Sequence, residues 1–149
     1  MRNQSSNVER QYKMLAVIWF ALLASQLMLL VVLFFAKPEA FRFDLSKSPL
    51  GENPMMTIMF AVLAISDLVL SFVFSRKYLS QAIAEQNPAL VQRAMIIGCA
   101  LCEAISLFGL VMAFAFPNQY FFLWFALGIL GAIFHFPKRD NLIAASYKR

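Results

Sequence analysis

The chain has 149 residues, 61% of them apolar and only 14% charged, with a net charge of +5. A soluble domain carries roughly 45–50% apolar and about 25% charged residues, so this chain has too little polar surface to fold alone in water, which excludes a soluble enzyme. Sixteen Phe against five Gly also exclude a disordered chain, which needs low hydrophobicity and high net charge.

Four apolar stretches stand out against the ~20 residues that cross a ~30 Å hydrocarbon core. They predict an all-α, four-helix polytopic membrane protein, a single membrane domain over residues 1–149 with spans at about 14–36, 54–75, 89–116 and 120–136. The first span holds Ser25 and Gln26 as its only strongly polar residues. Its length exceeds the 7–15 apolar residues of a signal peptide, so a retained anchor is expected. The second opens with Asn53-Pro54, a capping residue followed by proline in the first helical turn, and its helix is expected to run on past Phe74 through Ile83. The third repeats the start signal with Asn87-Pro88 and carries Arg93 and Glu103. The fourth is short, rich in aromatics and closed by Pro137. Helices are the expected element because lipid leaves every backbone group to be satisfied within its own segment.

Lys and Arg set the expected orientation. Arg2, Arg10, Lys13, Arg76, Lys77, Arg93, Lys138, Arg139, Lys148 and Arg149 fall on one side. On the other, Lys37, Arg42 and Lys47 are offset by Glu39, Asp44 and Glu52, and the third connection, Pro117 to Gln119, has no charge. Both termini and the loop at Gln86-Asn87-Pro88 are therefore expected in the cytoplasm. This asymmetry accounts for the net charge without a nucleic-acid partner, and the basic flanks suit anionic lipid headgroups.

Ionisable side chains at mid-membrane cost at least ~2.5–3.5 kcal/mol on insertion scales, so Asp67 and Glu103 are the candidate ion-binding residues. Measured from a turn near Gln86, they differ in depth by only ~4–5 Å at 1.5 Å per residue and could share a layer. Hydrocarbon surroundings favour the neutral carboxyl, and two carboxyls in one layer favour a proton on at least one. No Lys or Arg lies at mid-membrane to neutralise either. The bland alternative is a protonated carboxyl bonded to a neighbouring helix. Cys99 and Cys102 have redox spacing, but inside a membrane helix they read as a packing face. No metal site is expected, because the lone His135 reads as an interfacial residue beside Phe134 and Phe136. Gly128 and Gly131, with Ala126 and Ala132, make a small-residue strip for close helix contact. Met55, Met56 and Met59 read as apolar filler. Neither a phosphate-cradling loop nor a nucleophile elbow is present, so no catalytic residue and no cofactor other than a carried proton is expected.

The stretch from Asn87-Pro88 to Phe114, N-P-A-L-V-Q-R-A-M-I-I-G-C-A-L-C-E-A-I-S-L-F-G-L-V-M-A-F, resembles the carboxylate-bearing helix of the proteolipid, or c, subunit of rotary ATP synthases. There a polar loop leads into M-I-I-G-x-A-L-x-E-A-x-x-L-Y-G-L-V. The resemblance implies a c-subunit-like central hairpin with Glu103 as the ion-carrying carboxyl. Gly98, Cys99, Cys102, Phe108 and Gly109 would pack around it, and Gln86, Asn87 and Pro88 would form a partner-contact loop. Sodium-binding members add Ser or Thr after the carboxylate and Gln on the preceding helix; Ala104 and a second span without Gln imply a proton instead.

Two functions follow. In the first, the chain is a c-subunit-like homo-oligomer, a ring carrying protons on Glu103 beside a stator-like membrane subunit that supplies an arginine. In the second, it is a four-helix membrane scaffold or accessory subunit without ion transport. The second span has none of the repeated glycines that pack inner helices into a tight ring, and one helix is added before and one after the matching hairpin; both favour the scaffold. The expected location is a bacterial-type inner membrane.

Overall fold

A computed structural model describes residues 2–42, 48, 50–51, 53–116 and 118–146, with side chains described from residue 7 onward. Asp44, Lys47, Glu52, Pro117, Lys148 and Arg149, and the side chain of Arg2, all used in the charge reading above, lie outside the described residues. The described chain is helical and contains no strand. Its helices are α1 (Arg2–Ala36), α2 (Pro54–Ala84), α3 (Pro88–Ala115), α4 (Phe122–Phe134) and α5 (Arg139–Ser146), with short 3-10 turns at Pro38–Phe41 and Gln119–Phe121.

Three helical segments are long and apolar enough to cross a membrane, Asn7–Ala36, Pro54–Ala84 and Pro88–Ala115. A fourth qualifies only if Gln119–Phe134 and Arg139–Ser146, which meet at a bend of 44°, are taken as one broken span. These apolar helices make the protein an integral membrane protein. Large apolar side chains such as Val17, Phe20, Phe35, Met55, Val62 and Val73 are exposed along α1 and α2, the arrangement expected of lipid-facing helix surfaces and not of a water-soluble bundle. Met55, Met56 and Met59 lie on this exposed face, so they cover the outside of the bundle and fill no core gap.

The start signals act as read, with one difference. Pro54 and Pro88 both occupy the first turn of their helices, and Asn87 caps α3 by accepting from the Ala89 amide at 3.1 Å. Asn53 stands at the start of α2 without a side-chain cap bond. The α2–α3 turn closes as a Schellman motif, the Asn87 amide reaching back to the Ala82 carbonyl at 2.9 Å. That motif needs a left-handed residue, and Gln86 takes it at φ 52°. At the far end of α3, Lys37 donates to the Ala113 carbonyl at 2.8 Å, covering a helix end whose carbonyls would otherwise be orphaned.

The core is divided in two. At the end holding the α2–α3 turn, Val8 and Leu15 of α1 pack with Ala82, Leu90, Val91, Met95, Cys99, and Leu142 and Ala145 of α5. At the other end, Leu33 packs with Ala64, Ile105, Met112 and Ala113, and with Phe121, Trp124 and Phe125 at the start of α4. Between these apolar clusters Gln26 of α1 and Ser106 of α3 are buried against each other, and Ser71 of α2 is buried beside Cys102. Both sides of an ion pair, Glu9 of α1 and Arg139 of α5, lie 3.2 Å apart at the turn end of the bundle.

Candidate functional site

The mid-membrane layer centres on α3, whose successive residues face different neighbours. Cys102 points to α2 and α4: its Sγ lies 3.9 Å from Ser71 Oγ, and a Cβ added at Gly131 would meet that sulfur at 2.6 Å. Glu103, one residue on and about 100° round the helix, faces α1. Its Oε1 lies 2.7 Å from Ser25 Oγ, and the same hydroxyl lies 2.7 Å from the Leu22 carbonyl oxygen. Ser106, one turn further, donates to Gln26 Oε1 at 2.9 Å. Ser106 and Gln26 are fully buried, and Gln26 Nε2 has no hydrogen-bond partner among the described residues. Glu103 itself is only half-buried.

Asp67 stands level with this layer. The α2–α3 pairs Ser75 with Ala94, Ser71 with Cys102 and Phe60 with Phe108 put it opposite about residues 101–106 of α3. It forms neither hydrogen bond nor ion pair among the described residues, so it has no partner on a neighbouring helix there and is not bonded to Glu103. The two carboxyls share a depth, but Glu103 is satisfied by α1 whereas Asp67, half-exposed on α2, is not.

Of the residues expected around Glu103, Gly109 lies against the start of α4 and Gly98 against His135 just past its end. A Cβ at Gly109 would lie 2.9 Å from the Phe121 carbonyl and 3.0 Å from the Trp124 Cβ, so the glycine lets the start of α4 seat on α3. Phe108 instead meets Phe60 of α2, ring centroids 5.5 Å apart. Gly98 forms a notch filled by the His135 ring. His135 is therefore buried, against the expectation of an interfacial residue. Its Nδ1 lies 2.7 Å from the Gly131 carbonyl and its Nε2 3.3 Å from the Ser71 carbonyl, and Phe72 lies against the ring. Of the small-residue strip, Gly128, Gly131 and Ala132 are buried, but Ala126 is exposed. Cys99 and Cys102 are both free thiols with no exposed surface, and no group of three metal-binding side chains is found among the described residues. At the loop, Gln86 donates from Nε2 to the Ile83 carbonyl at 2.8 Å and to the Ala144 carbonyl of α5 at 3.3 Å; Asn87 remains exposed.

Ser25, Gln26 and Ser106 belong to the site although the sequence reading gave them no role in it. The signal was present for two of them, as the only polar residues in the first span. Taken together, fold and layer define a polytopic helical membrane protein built around a carboxyl-bearing hairpin. Residues 77–116, the end of α2, the turn and all of α3, match the family model of the ATP synthase C subunit, so the similarity to that family lies in this segment of the membrane protein. Searches of curated proteins and of solved structures find no match.

Proposed function

We propose that the protein is an oligomeric, c-subunit-like membrane component that binds a proton at Glu103. The observation that carries this is the chain from Glu103 through Ser25 Oγ to the Leu22 carbonyl, with both contacts at 2.7 Å. A serine hydroxyl has one proton and cannot serve two acceptors fully. A protonated carboxyl completes the chain, donating to Oγ while Oγ donates to the Leu22 carbonyl. Ala104 follows Glu103 where sodium-binding c subunits place a hydroxyl ligand, which supports the proton as the ion. Asp67, level with the site and unpartnered among the described residues, is a second acceptor in the same layer.

Release of that proton needs a positive charge brought to Glu103. Mid-membrane in this chain there is no Lys or Arg, so a stator-like membrane protein supplying an arginine is part of the proposal, as are a ring of copies, a bacterial-type inner membrane and cytoplasmic termini. The test is Glu103→Gln in vesicles reconstituted with the copurifying partners. Proton flux should vanish while the native mass of the assembly, a single large homo-oligomer, stays the same. Normal flux in that variant would sink proton carriage.

A second reading, a scaffold or accessory subunit, is favoured by one feature: α1 closes over Glu103 through Ser25, the face a stator must reach. In that case Glu103→Gln lowers the thermal midpoint, no flux is measurable even in the unaltered protein, and the native complex is small.

A further inference from the structure

A different polar site lies where the apolar parts of α2 and α4 give way to basic residues. A cavity of about 280 Å³ opens there between α2, α3, α4 and α5. Arg76, Lys138 and Asn141 line it, Phe72 and Met95 form part of its apolar wall, and the buried His135 contributes to its lining with both ring nitrogens already facing carbonyl oxygens. No acidic side chain lines the cavity. Arg139 next door is matched by Glu9 at 3.2 Å, whereas Arg76 and Lys138 form no ion pair among the described residues. Two unmatched cations at a half-enclosed cavity concentrate positive potential within it. A guanidinium fork beside an ammonium and a side-chain amide is a donor set for phosphate oxygens. Small-molecule sites run to about 300–1,000 Å³, so this cavity, at the lower end of that range, suits a headgroup-sized ligand. Its position at the edge of the apolar belt is where phosphate headgroups lie.

We propose that this cavity binds a phosphate group at the membrane surface, held by Arg76, Lys138 and Asn141. The site is independent of Glu103. Two sources share this chemistry, an anionic phospholipid headgroup and free phosphate. The experiment is native mass spectrometry and binding titration of the purified protein in neutral detergent, with phosphatidylglycerol, phosphatidylcholine or inorganic phosphate added at raised salt to screen diffuse attraction. Phosphatidylglycerol should bind in preference to phosphatidylcholine, and at least about tenfold more weakly to the Arg76→Gln/Lys138→Gln double variant. The Arg10→Gln/Lys13→Gln variant removes the same charge away from the cavity and should bind as the unaltered protein does. Arg76→Lys/Lys138→Arg, which keeps both charges, should retain most binding and serves if the first variant folds poorly. Competition by inorganic phosphate assigns the site to free phosphate; its failure to compete assigns the site to the lipid headgroup. Equal loss in the cavity and control variants, or no binding of either probe, overturns the proposal.

Discussion

Gly98 and His135 are a matched pair across α3 and α4: a methyl group at position 98 would overlap the imidazole, and the imidazole is held by carbonyls of Gly131 and Ser71 on either side. Gly98→Ala should therefore act as an overpacking substitution costing about 1–3 kcal/mol. It should lower the thermal midpoint in detergent, and much of the loss should disappear when His135→Ala is added, a coupling that two independent sites would not give. Ser25 offers a complementary test of the carboxyl layer. Ser25→Ala removes the hydrogen-bond partner that Glu103 has among the described residues, with an expected cost of about 1 kcal/mol. It should also speed labelling of Glu103 by a hydrophobic carbodiimide, measured by intact mass; unchanged labelling would mean that Ser25 does not shield the carboxyl.

Among the elements, the α2–α3 hairpin was the most legible. Asn-Pro start signals and an apolar run on either side of a polar turn are local features, and they produced the two helices and the turn, although of the two asparagines only Asn87 makes its side-chain cap bond. Helix α1 was legible as a helix but not in its rotation. From residue 14 on it is apolar almost all round, so no polar face tells which side meets the other helices; the contacts of Ser25 and Gln26 with α3 and of Trp19 with α4 settle it. The burial of His135 was hidden for a similar reason, because it depends on a missing side chain 37 positions away in sequence, Gly98. Asp67 and Glu103 were legible in depth, which residue counting gives, but not in direction, which it does not. Trp19 pins α1 to α4 through a 2.8 Å bond from its indole nitrogen to the Ala132 carbonyl. Trp19→Phe keeps most of the apolar area and loses this bond, so a destabilisation of about 1 kcal/mol is expected. Hydrogen exchange should then rise at Ala132 and its neighbours while the α2–α3 turn stays as protected as before.

At the scale of the molecule, the helix that carries the c-subunit signature is the central element, with α1, α2 and α4 all packed on it. Glycines that could seat a second copy are occupied by the chain's own α4: Gly98 and Gly109 receive it, and Gly128 and Gly131 let α3 approach in return. Any oligomer must therefore form through other surfaces, and the exposed apolar faces of α1 and α2 are what remains for neighbours and lipid. Cys99 and Cys102 lie inside this packed core with no exposed surface. A maleimide should leave both unmodified in the folded protein and label both after denaturation, as counted by mass; fast labelling in the folded state would show that α3 is not enclosed as described.

The Glu9–Arg139 ion pair fixes the parity of the path. A path whose α1 and α5 ends meet at the same end of a bundle has run along it an even number of times, and the return from the far end of α3 is made by the segment that holds α4. Glu9 of α1 and Arg139 of α5 thus lie at the same end of the bundle, and reporters fused beyond either helix are expected to respond to the same side of the membrane.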